Sequence, residues 1–296
     1  LDQRLQSYLF RRAYVSRIQK VLERARQQKS SIASVDDPES LSTTARRRRL
    51  QGKPHLSQGD GPRLSELNIS HLSASAAAVR QNRVIIGMPD RPSGVIDGYK
   101  LLRTKMLRRM VAGQKRVLAV TSASQGEGKS LTALNLALII NQDPNFDVIL
   151  VDADLRSPSI HTILGIEPRT GLCDYLAGSA NLEDILVSLE ESGIGLIPNI
   201  HPVDNSAESL TGPRMRELMD SLGGLSPSVI VIVDMPPLVV DDVLAFAPFI
   251  DAMLLVFRSG VTSRADVAAA KEMTTDLPVL GCILNGAEGA KSSAYY

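Results

Sequence analysis

The sequence has few of the residues that stabilise disulfide-bonded or metal-bound domains. Among its 296 residues there are two cysteines, Cys173 and Cys282, and four scattered histidines without an HxxxH pair. Disulfide frameworks need several cysteines and metal sites need clustered ligands. We therefore expect neither a disulfide scaffold nor a His or Cys metal site, and the cysteine usage favours a reducing compartment.

Long apolar runs are also missing. No uninterrupted run reaches the roughly 20 residues that cross a bilayer, and the first thirty residues are rich in Arg and Lys and lack the apolar centre of a signal peptide. We expect neither a membrane span nor a secretory leader in this sequence, which begins at Leu1 rather than Met. Its 44% hydrophobic content is that of a globular protein with one or two domains.

The net charge of +1 averages two unlike parts. Residues 1–83 carry 16 Lys and Arg against 7 Asp and Glu, a balance of +9, whereas residues 84–296 carry 17 against 25, a balance of −8. Apolar spacing within residues 1–30 predicts a short amphipathic helix, and the Ser-, Arg- and Gln-rich residues 30–82 predict a linker with little fixed structure. The sequence thus predicts a basic arm over 1–83 and a folded domain over 84–296.

Four consecutive arginines, Arg46 to Arg49, lie in the centre of the arm. They are consistent with a solvated linker or with attraction to anionic lipid, worth about 1 kcal/mol per basic residue near a membrane. Nucleic-acid binding is disfavoured because no aromatic residues for base stacking accompany the charge. We expect a cytoplasmic protein that associates peripherally with the inner face of the cell membrane.

From about residue 115, short apolar runs alternate with helix-like segments. This alternation predicts an α/β fold, a three-layer α/β/α domain with a mainly parallel sheet. The predicted strands are 116–121, 147–151, 193–197, 229–233, 252–257 and 279–284. The predicted helices are 129–141, 181–191, 212–222 and 263–275.

The first run is followed by Ala123-Ser-Gln-Gly-Glu-Gly-Lys-Ser130 and then an apolar helix. The pattern [AG]xxxxGK[ST] between a strand and a helix is a P-loop, whose glycines let backbone N–H groups approach phosphates. Lys129 is expected to reach the phosphate oxygens and Ser130 to complete a Mg²⁺ site. The predicted ATP contacts in this segment are Ser124, Gln125, Gly126, Glu127, Gly128, Lys129, Ser130 and Leu131.

Carboxylates follow two further apolar runs, as Asp152-Ala-Asp154-Leu-Arg156 and as Asp234-Met-Pro-Pro. In a parallel sheet these residues lie at the same edge as the P-loop. We predict that Asp152 and Asp234 hold Mg²⁺ through water, that Asp154 is the catalytic base, and that Arg156 contacts ATP and orients the acidic pair. Together with Lys129 these three aspartates are the predicted catalytic residues.

These motifs resemble those of the bacterial tyrosine autokinases of capsule and exopolysaccharide synthesis. The resemblance covers about residues 95–296, including 97–104, 208–218 and 280–285. It implies ATP- and Mg²⁺-dependent phosphorylation of C-terminal tyrosines between neighbouring subunits, and regulation of polysaccharide polymerisation or export. Asn285 matches a position associated with the nucleotide base, and the chain ends in the expected acceptors Tyr295 and Tyr296.

The resemblance also implies partners. We expect a ring-like homo-oligomer formed through residues near Asp97–Arg103, a transmembrane co-polymerase that activates the kinase, and a cognate tyrosine phosphatase. The sequence departs from the family pattern in Gln125, where proline is common, and in Asp97 and Lys100, where Glu and Arg are usual. Because Lys does not pair carboxylates bidentately as Arg does, assembly is expected to be weaker or differently controlled.

Two alternatives remain open. The first is a positioning or partitioning ATPase of the deviant P-loop group, which carries a second lysine five residues before the P-loop lysine. Ser124 occupies that position here. The second is a catalytically silent ATP-binding regulator of an export complex, against which the retained acidic residues argue.

Overall fold

Eight short strands form one sheet in the computed structural model, which describes residues 61–82, 84, 93–190 and 192–287. The described residues belong to a single unit, Pro54–Tyr296. The strands are β1 Ser70–Leu72, β2 Val117–Ser122, β3 Asp147–Asp152, β4 Val187–Leu189, β5 Gly195–Ile197, β6 Val229–Asp234, β7 Ala252–Arg258 and β8 Val279–Asn285. Their order in the sheet is β1-β4-β5-β3-β6-β2-β7-β8.

The pairings are parallel except that between β4 and β5. The α-helices are α1 Ala76–Gln81, α2 Ser93–Ala112, α3 Lys129–Ile140, α4 Ile160–Leu164, α5 Leu172–Ala177, α6 Leu182–Ile185, α7 Ser206–Thr211, α8 Pro213–Gly223, α9 Asp242–Phe246 and α10 Arg264–Met273. Short 3₁₀ turns lie at Leu64–Glu66 and Ala247–Phe249.

Both faces of the sheet are covered by helices, as β6 illustrates. Val229, Val231 and Val233 belong to one buried cluster that includes the apolar residues of α8. Ile230 and Ile232 belong to a second cluster that includes those of α3. Since successive side chains of a strand point to opposite faces, these two clusters are the two interfaces of an α/β/α sandwich. The predicted fold class is confirmed.

The segment 61–82 corrects the prediction of a linker with little fixed structure over residues 30–82. Strand β1 pairs in parallel with β4, and Leu64 and Val79 are buried in the two clusters. Arg63 donates from Nε to Asp147 at the start of β3, 2.9 Å away. Strand β4 lies more than a hundred residues after β1, and Asp147 lies 84 residues after Arg63, so local composition carried no signal of these contacts. The predicted helix within 1–30 and the arginine run lie outside the described residues.

The predicted strands are confirmed with end shifts of one or two residues, but the helix predicted over 181–191 is wrong beyond its first turn. Helix α6 ends at Ile185, and Val187–Leu189 is a strand between β1 and β5. Pairing on both sides outweighs the helical apolar spacing there.

None of the helices in the described part of the chain is both long and apolar enough to span a bilayer.

Candidate active site

The strand order brings the carboxyl ends of β2, β6 and β3 together. Strand β6 lies between the other two, with Val120 beside Asp234 on one side and Asp152 beside Asp234 on the other. The P-loop follows β2 directly. The three predicted motifs therefore meet at one edge of the sheet, as expected for a parallel α/β fold.

The P-loop turns into α3 through two glycines in the left-handed region. Gly126 has φ 79° and Gly128 has φ 92°, values that residues with a Cβ rarely adopt. Gly128 is the N-cap of α3, and no side chain caps the helix there. The first N–H groups of a twelve-residue helix are thus left for a ligand, and the helix dipole favours an anionic one.

The Lys129 side chain lies between carboxylates rather than in solvent. Its ammonium is 2.7 Å from Asp154 Oδ2 and 3.5 Å from Asp234 Oδ1, and it donates to Ser130 Oγ over 3.1 Å. Burial lowers the pKa of Lys129, but the charges of Asp234 and Asp154 outweigh burial and leave this pKa above its usual value. Lys129 therefore carries its positive charge at neutral pH.

Asp152 and Asp234 are fully buried side by side. Asp152 Oδ2 accepts the N–H groups of Ser159 and Ile160, each over 3.1 Å. Burial, followed by the charge of Asp234, raises the pKa of Asp152 to about 8. Burial also raises the pKa of Asp234, although Lys129 and Ser130 oppose the shift. Asp152 Oδ1 and Asp234 Oδ2 are left without hydrogen-bond partners.

Two unpartnered carboxylate oxygens beside a P-loop serine fit Mg²⁺. This ion keeps several waters and binds through one or two carboxylates together with substrate phosphates. Within the described ranges no three His, Cys, Asp or Glu side chains are grouped as a metal cluster. Asp152, Asp234 and Ser130 offer the smaller oxygen set that a magnesium–nucleotide complex needs.

Arg156 is placed differently from its prediction. Its guanidinium pairs with Asp242 at the start of α9, with Nη2 3.1 Å from Oδ1 and Nε 3.2 Å from Oδ2. Asp242 is fully buried, whereas the Arg156 side chain is 45% exposed. The expectation that Arg156 orients Asp152 and Asp154 is therefore corrected: its partner is Asp242. Asp154 is held instead by Lys129 and by the Ser157 N–H, 3.0 Å from Oδ1.

The other predicted ATP contacts lie in or against the P-loop. Ser124 and Gln125 are in the loop, and Leu131 is the third residue of α3. The Glu127 carboxylate is buried and turned into the protein, so only its backbone faces a ligand. Asn285 donates from Nδ2 to the Glu127 carbonyl over 2.9 Å. Tyr295 and Tyr296 lie outside the described residues.

Two residues at this edge were not predicted. Arg258 Nη1 donates to the Gly126 carbonyl over 2.9 Å, and the Thr262 hydroxyl donates to the Glu127 carboxylate. Arg258 is the last residue of β7, and Thr262 lies in the loop after it. They lie 132 and 135 residues from the P-loop residues that they contact and form no motif of their own, so only the sheet order reveals them.

Comparison with known proteins agrees with this geometry. The ParA family, described as NUBPL iron-transfer P-loop NTPase, matches residues 113–291. Tyrosine-protein kinase YwqD of Bacillus subtilis (strain 168) is 34% identical over 219 residues, 73% of this chain and 91% of that protein. Tyrosine-protein kinase etk of Escherichia coli (strain K12) is 29% identical over 210 residues, which make up 70% of this chain but only 28% of that longer protein.

Solved structures point the same way. The kinase domain of Escherichia coli tyrosine kinase ETK matches with a TM-score of 0.62 at 28% identity, over 68% of this chain and 79% of that one. The BceF tyrosine kinase domain matches with a TM-score of 0.61 at 25% identity, over 84% and 98%. The chain belongs to the bacterial tyrosine-protein kinases, built on a ParA-type P-loop NTPase domain.

Proposed function

We propose that this chain is an ATP-dependent protein tyrosine autokinase that phosphorylates its own Tyr295 and Tyr296 between subunits. The observation that carries the proposal is the Lys129 ammonium, held between Asp154 and Asp234 at the start of an uncapped helix. Membership of the tyrosine-protein kinase family selects phosphoryl transfer to tyrosine among the reactions that a P-loop supports.

The P-loop N–H groups and Lys129 would bind the ATP phosphates, and Asn285 would lie near the base. Ser130 would hold Mg²⁺ directly, with Asp152 and Asp234 acting through water. Mg²⁺ neutralises charge on the phosphates when it is bound. The buried, unpartnered oxygens of Asp152 and Asp234 support this assignment, since a cation would offset the cost of burying them.

Asp154 is proposed as the group that accepts the tyrosine proton. The tyrosine oxygen forms a bond to the γ-phosphorus, the bond between that phosphorus and the β–γ bridging oxygen breaks, and ADP leaves. In the structure the Asp154 carboxylate is paired with the Lys129 ammonium. Phosphate oxygens would compete for the same ammonium, and that exchange frees the Asp154 carboxylate to act as base while Lys129 stabilises the transferred group.

Phosphorylation of the tail would regulate assembly. Each phosphotyrosine adds about −1.5 to −2 charges to a protein whose residues 84–296 already carry −8. We propose that this repulsion loosens a ring-like oligomer formed near Asp97–Arg103, and that the cycle times exopolysaccharide or capsule polymerisation or export. A transmembrane co-polymerase, a tyrosine phosphatase and peripheral attachment to the inner membrane face complete the proposal.

The experiment is phosphotyrosine mapping by mass spectrometry after incubation with Mg-ATP. We expect phosphate on Tyr295 or Tyr296, and a loss of at least about 100-fold in Lys129→Met because a charge that stabilises the transferred group is gone. Lys271→Met, an exposed lysine of α10, is the matched control and should label normally. The cytoplasmic segment of the co-polymerase is added where the protein alone is inert.

Two other outcomes would replace the proposal. ATP hydrolysis with an unmodified tail would indicate a positioning ATPase. Nucleotide binding without turnover, with the co-polymerase segment present, would indicate a silent regulator.

A further inference from the structure

The Glu127 carboxylate is an unusual component of a phosphate-binding loop, because a negative charge near phosphates is repelled. The side chain is only 1% exposed and points into the protein. Its Oε2 accepts the Ser124 N–H over 2.8 Å, within the same loop. Its Oε1 accepts the Thr262 hydroxyl, from the loop after β7. Each oxygen therefore holds a different part of the chain.

The Thr262 hydroxyl continues this series of hydrogen bonds. It accepts the Arg258 N–H over 2.7 Å while donating to Glu127. A hydroxyl can do both at once because it has one proton and two lone pairs. The end of β7 is thus connected through Thr262 and Glu127 to the Ser124 N–H at the start of the P-loop.

Two further side chains hold the P-loop backbone. Arg258 Nη1 donates to the Gly126 carbonyl and Asn285 Nδ2 to the Glu127 carbonyl, each over 2.9 Å. The Asn285 amide lies where a Cβ on residue 128 would be, so a side chain at that position would displace this contact, and the φ of 92° also favours glycine there. We call the side chains of Glu127, Arg258, Thr262 and Asn285 the P-loop latch.

The two carbonyl contacts determine where the neighbouring N–H groups point. In a planar trans peptide the C=O and the N–H point in opposite directions. The Gly126 carbonyl shares its peptide with the Glu127 N–H, and the Glu127 carbonyl shares its peptide with the Gly128 N–H. Holding both carbonyls from the β7–β8 side therefore directs both N–H groups away from the latch, towards the phosphate side of the loop.

We propose that the P-loop latch consists of positioning residues that order these N–H groups before a nucleotide arrives. The inference rests on nucleotide binding at the P-loop, as proposed above. A loop that is already ordered loses less conformational entropy on binding, so affinity rises without any contact between latch and ligand. The latch acts through the P-loop backbone, and Thr262 takes no part in the chemistry.

Thr262 offers the cleanest test because its hydroxyl can be removed without changing its shape. Thr262→Val should weaken binding of Mg-ADP about 10-fold, the effect of losing a hydrogen bond to a carboxylate, and Thr262→Ser should restore it to within about twofold. Isothermal titration calorimetry on the full chain gives the constants. Thr275→Val, an exposed threonine at the end of α10, is the matched control and should bind as the unaltered chain does.

Hydrogen exchange without nucleotide is the second readout. Amides of residues 123–131 should exchange roughly 10-fold faster in Thr262→Val than in Thr262→Ser, with protection of β3 and β6 unchanged. Arg258→Met should give the same local effect, since its exposed side chain leaves no cavity when replaced.

Three results would overturn the inference. One is unchanged Mg-ADP affinity in Thr262→Val while the unaltered chain binds normally, which leaves the proposed function intact. Another is a uniform increase of exchange throughout the domain, which would make the contact a general structural one. If the unaltered chain binds no nucleotide, the proposed P-loop function fails and the latch with it.

Discussion

At the scale of single residues, the Asp152–Asp234 pair sets stability against function. Two fully buried carboxylates beside each other cost free energy, since each disfavours the charge of the other and neither has water to solvate it. The raised pKa of Asp152 reflects that cost. A protein that retains such a pair sacrifices stability for a cation site.

Asp152→Asn should therefore stabilise the metal-free protein while abolishing kinase activity. The amide oxygen can still accept the Ser159 and Ile160 N–H groups. An amide also needs no proton, whereas Asp152, with its pKa raised to about 8, must take one up on folding at pH 7. We expect a gain of about 1–3 kcal/mol in unfolding free energy at pH 7 in EDTA, measured by urea titration. Asp147→Asn, at the other end of the same strand, is the control and should lower stability slightly, since Asp147 pairs with Arg63. A destabilised Asp152→Asn would refute this account of the pair.

Arg156 provides a second test at this scale. Removing it leaves Asp242 buried and unpaired, so Arg156→Ala should lower the unfolding free energy by about 1–3 kcal/mol. Adding Asp242→Asn should recover part of that loss. Denaturant unfolding of the two variants and of the Asp242→Asn single variant measures this coupling. A raised KM for ATP with unchanged stability would instead support the predicted contact of Arg156 with nucleotide.

Contacts between residues could be predicted from the sequence when each residue belongs to a motif that directly follows a predicted strand. Lys129, Asp154 and Asp234 each follow an apolar run, and parallel strands bring their carboxyl ends to one edge. The sequence could not predict that Arg156 pairs with Asp242, because that contact joins positions 86 residues apart with no shared pattern. Short motifs predict positions, whereas the choice of a partner is a tertiary effect.

At the scale of secondary-structure elements, residues 61–82 belong to the fold, which therefore begins before the predicted domain start at residue 84. Strand β1 forms the edge of the sheet beside β4, and α1 buries Val79. A fragment of residues 61–296 contains all the described residues and is the reference. A fragment of residues 84–296 should be less stable by at least about 3 kcal/mol, since it loses two buried apolar residues and a strand pairing.

Urea unfolding of both fragments is the measurement, and Leu64→Ala in the full chain is the control for a single lost core residue. Equal midpoints for the two fragments would restore the predicted boundary between residues 83 and 84.

The two strands that the sequence did not predict, β1 and β4, have three residues each. Three residues carry too little apolar alternation to identify a strand on their own, and the pairing of β1 with β4 is non-local. Strand β5 is equally short, but it was predicted because it lies within the longer apolar run 193–197.

At the scale of the whole molecule, the position of the tail raises the question of which subunit it enters. Strand β8 ends at Asn285, whose side chain contacts the P-loop, and Tyr295 follows Gly286 by nine residues. Asn285 lies against the P-loop, and nine residues span at most about 30 Å. Reach alone therefore permits transfer within one subunit, and the proposed transfer between subunits must be tested directly.

The test mixes two variants of the full chain, neither of which can label itself. The donor carries Tyr295→Phe and Tyr296→Phe and keeps an intact site; the acceptor carries Lys129→Met and keeps both tyrosines. Transfer between subunits predicts phosphotyrosine on the acceptor, at an initial rate that rises in proportion to donor concentration below assembly saturation. An unlabelled acceptor, together with self-labelling of the unaltered chain at a rate independent of its concentration, would show transfer within one subunit. Because repulsion between phosphorylated tails is proposed to loosen the oligomer, labelling should also lower its sedimentation coefficient, and added salt should weaken that change by screening the charges.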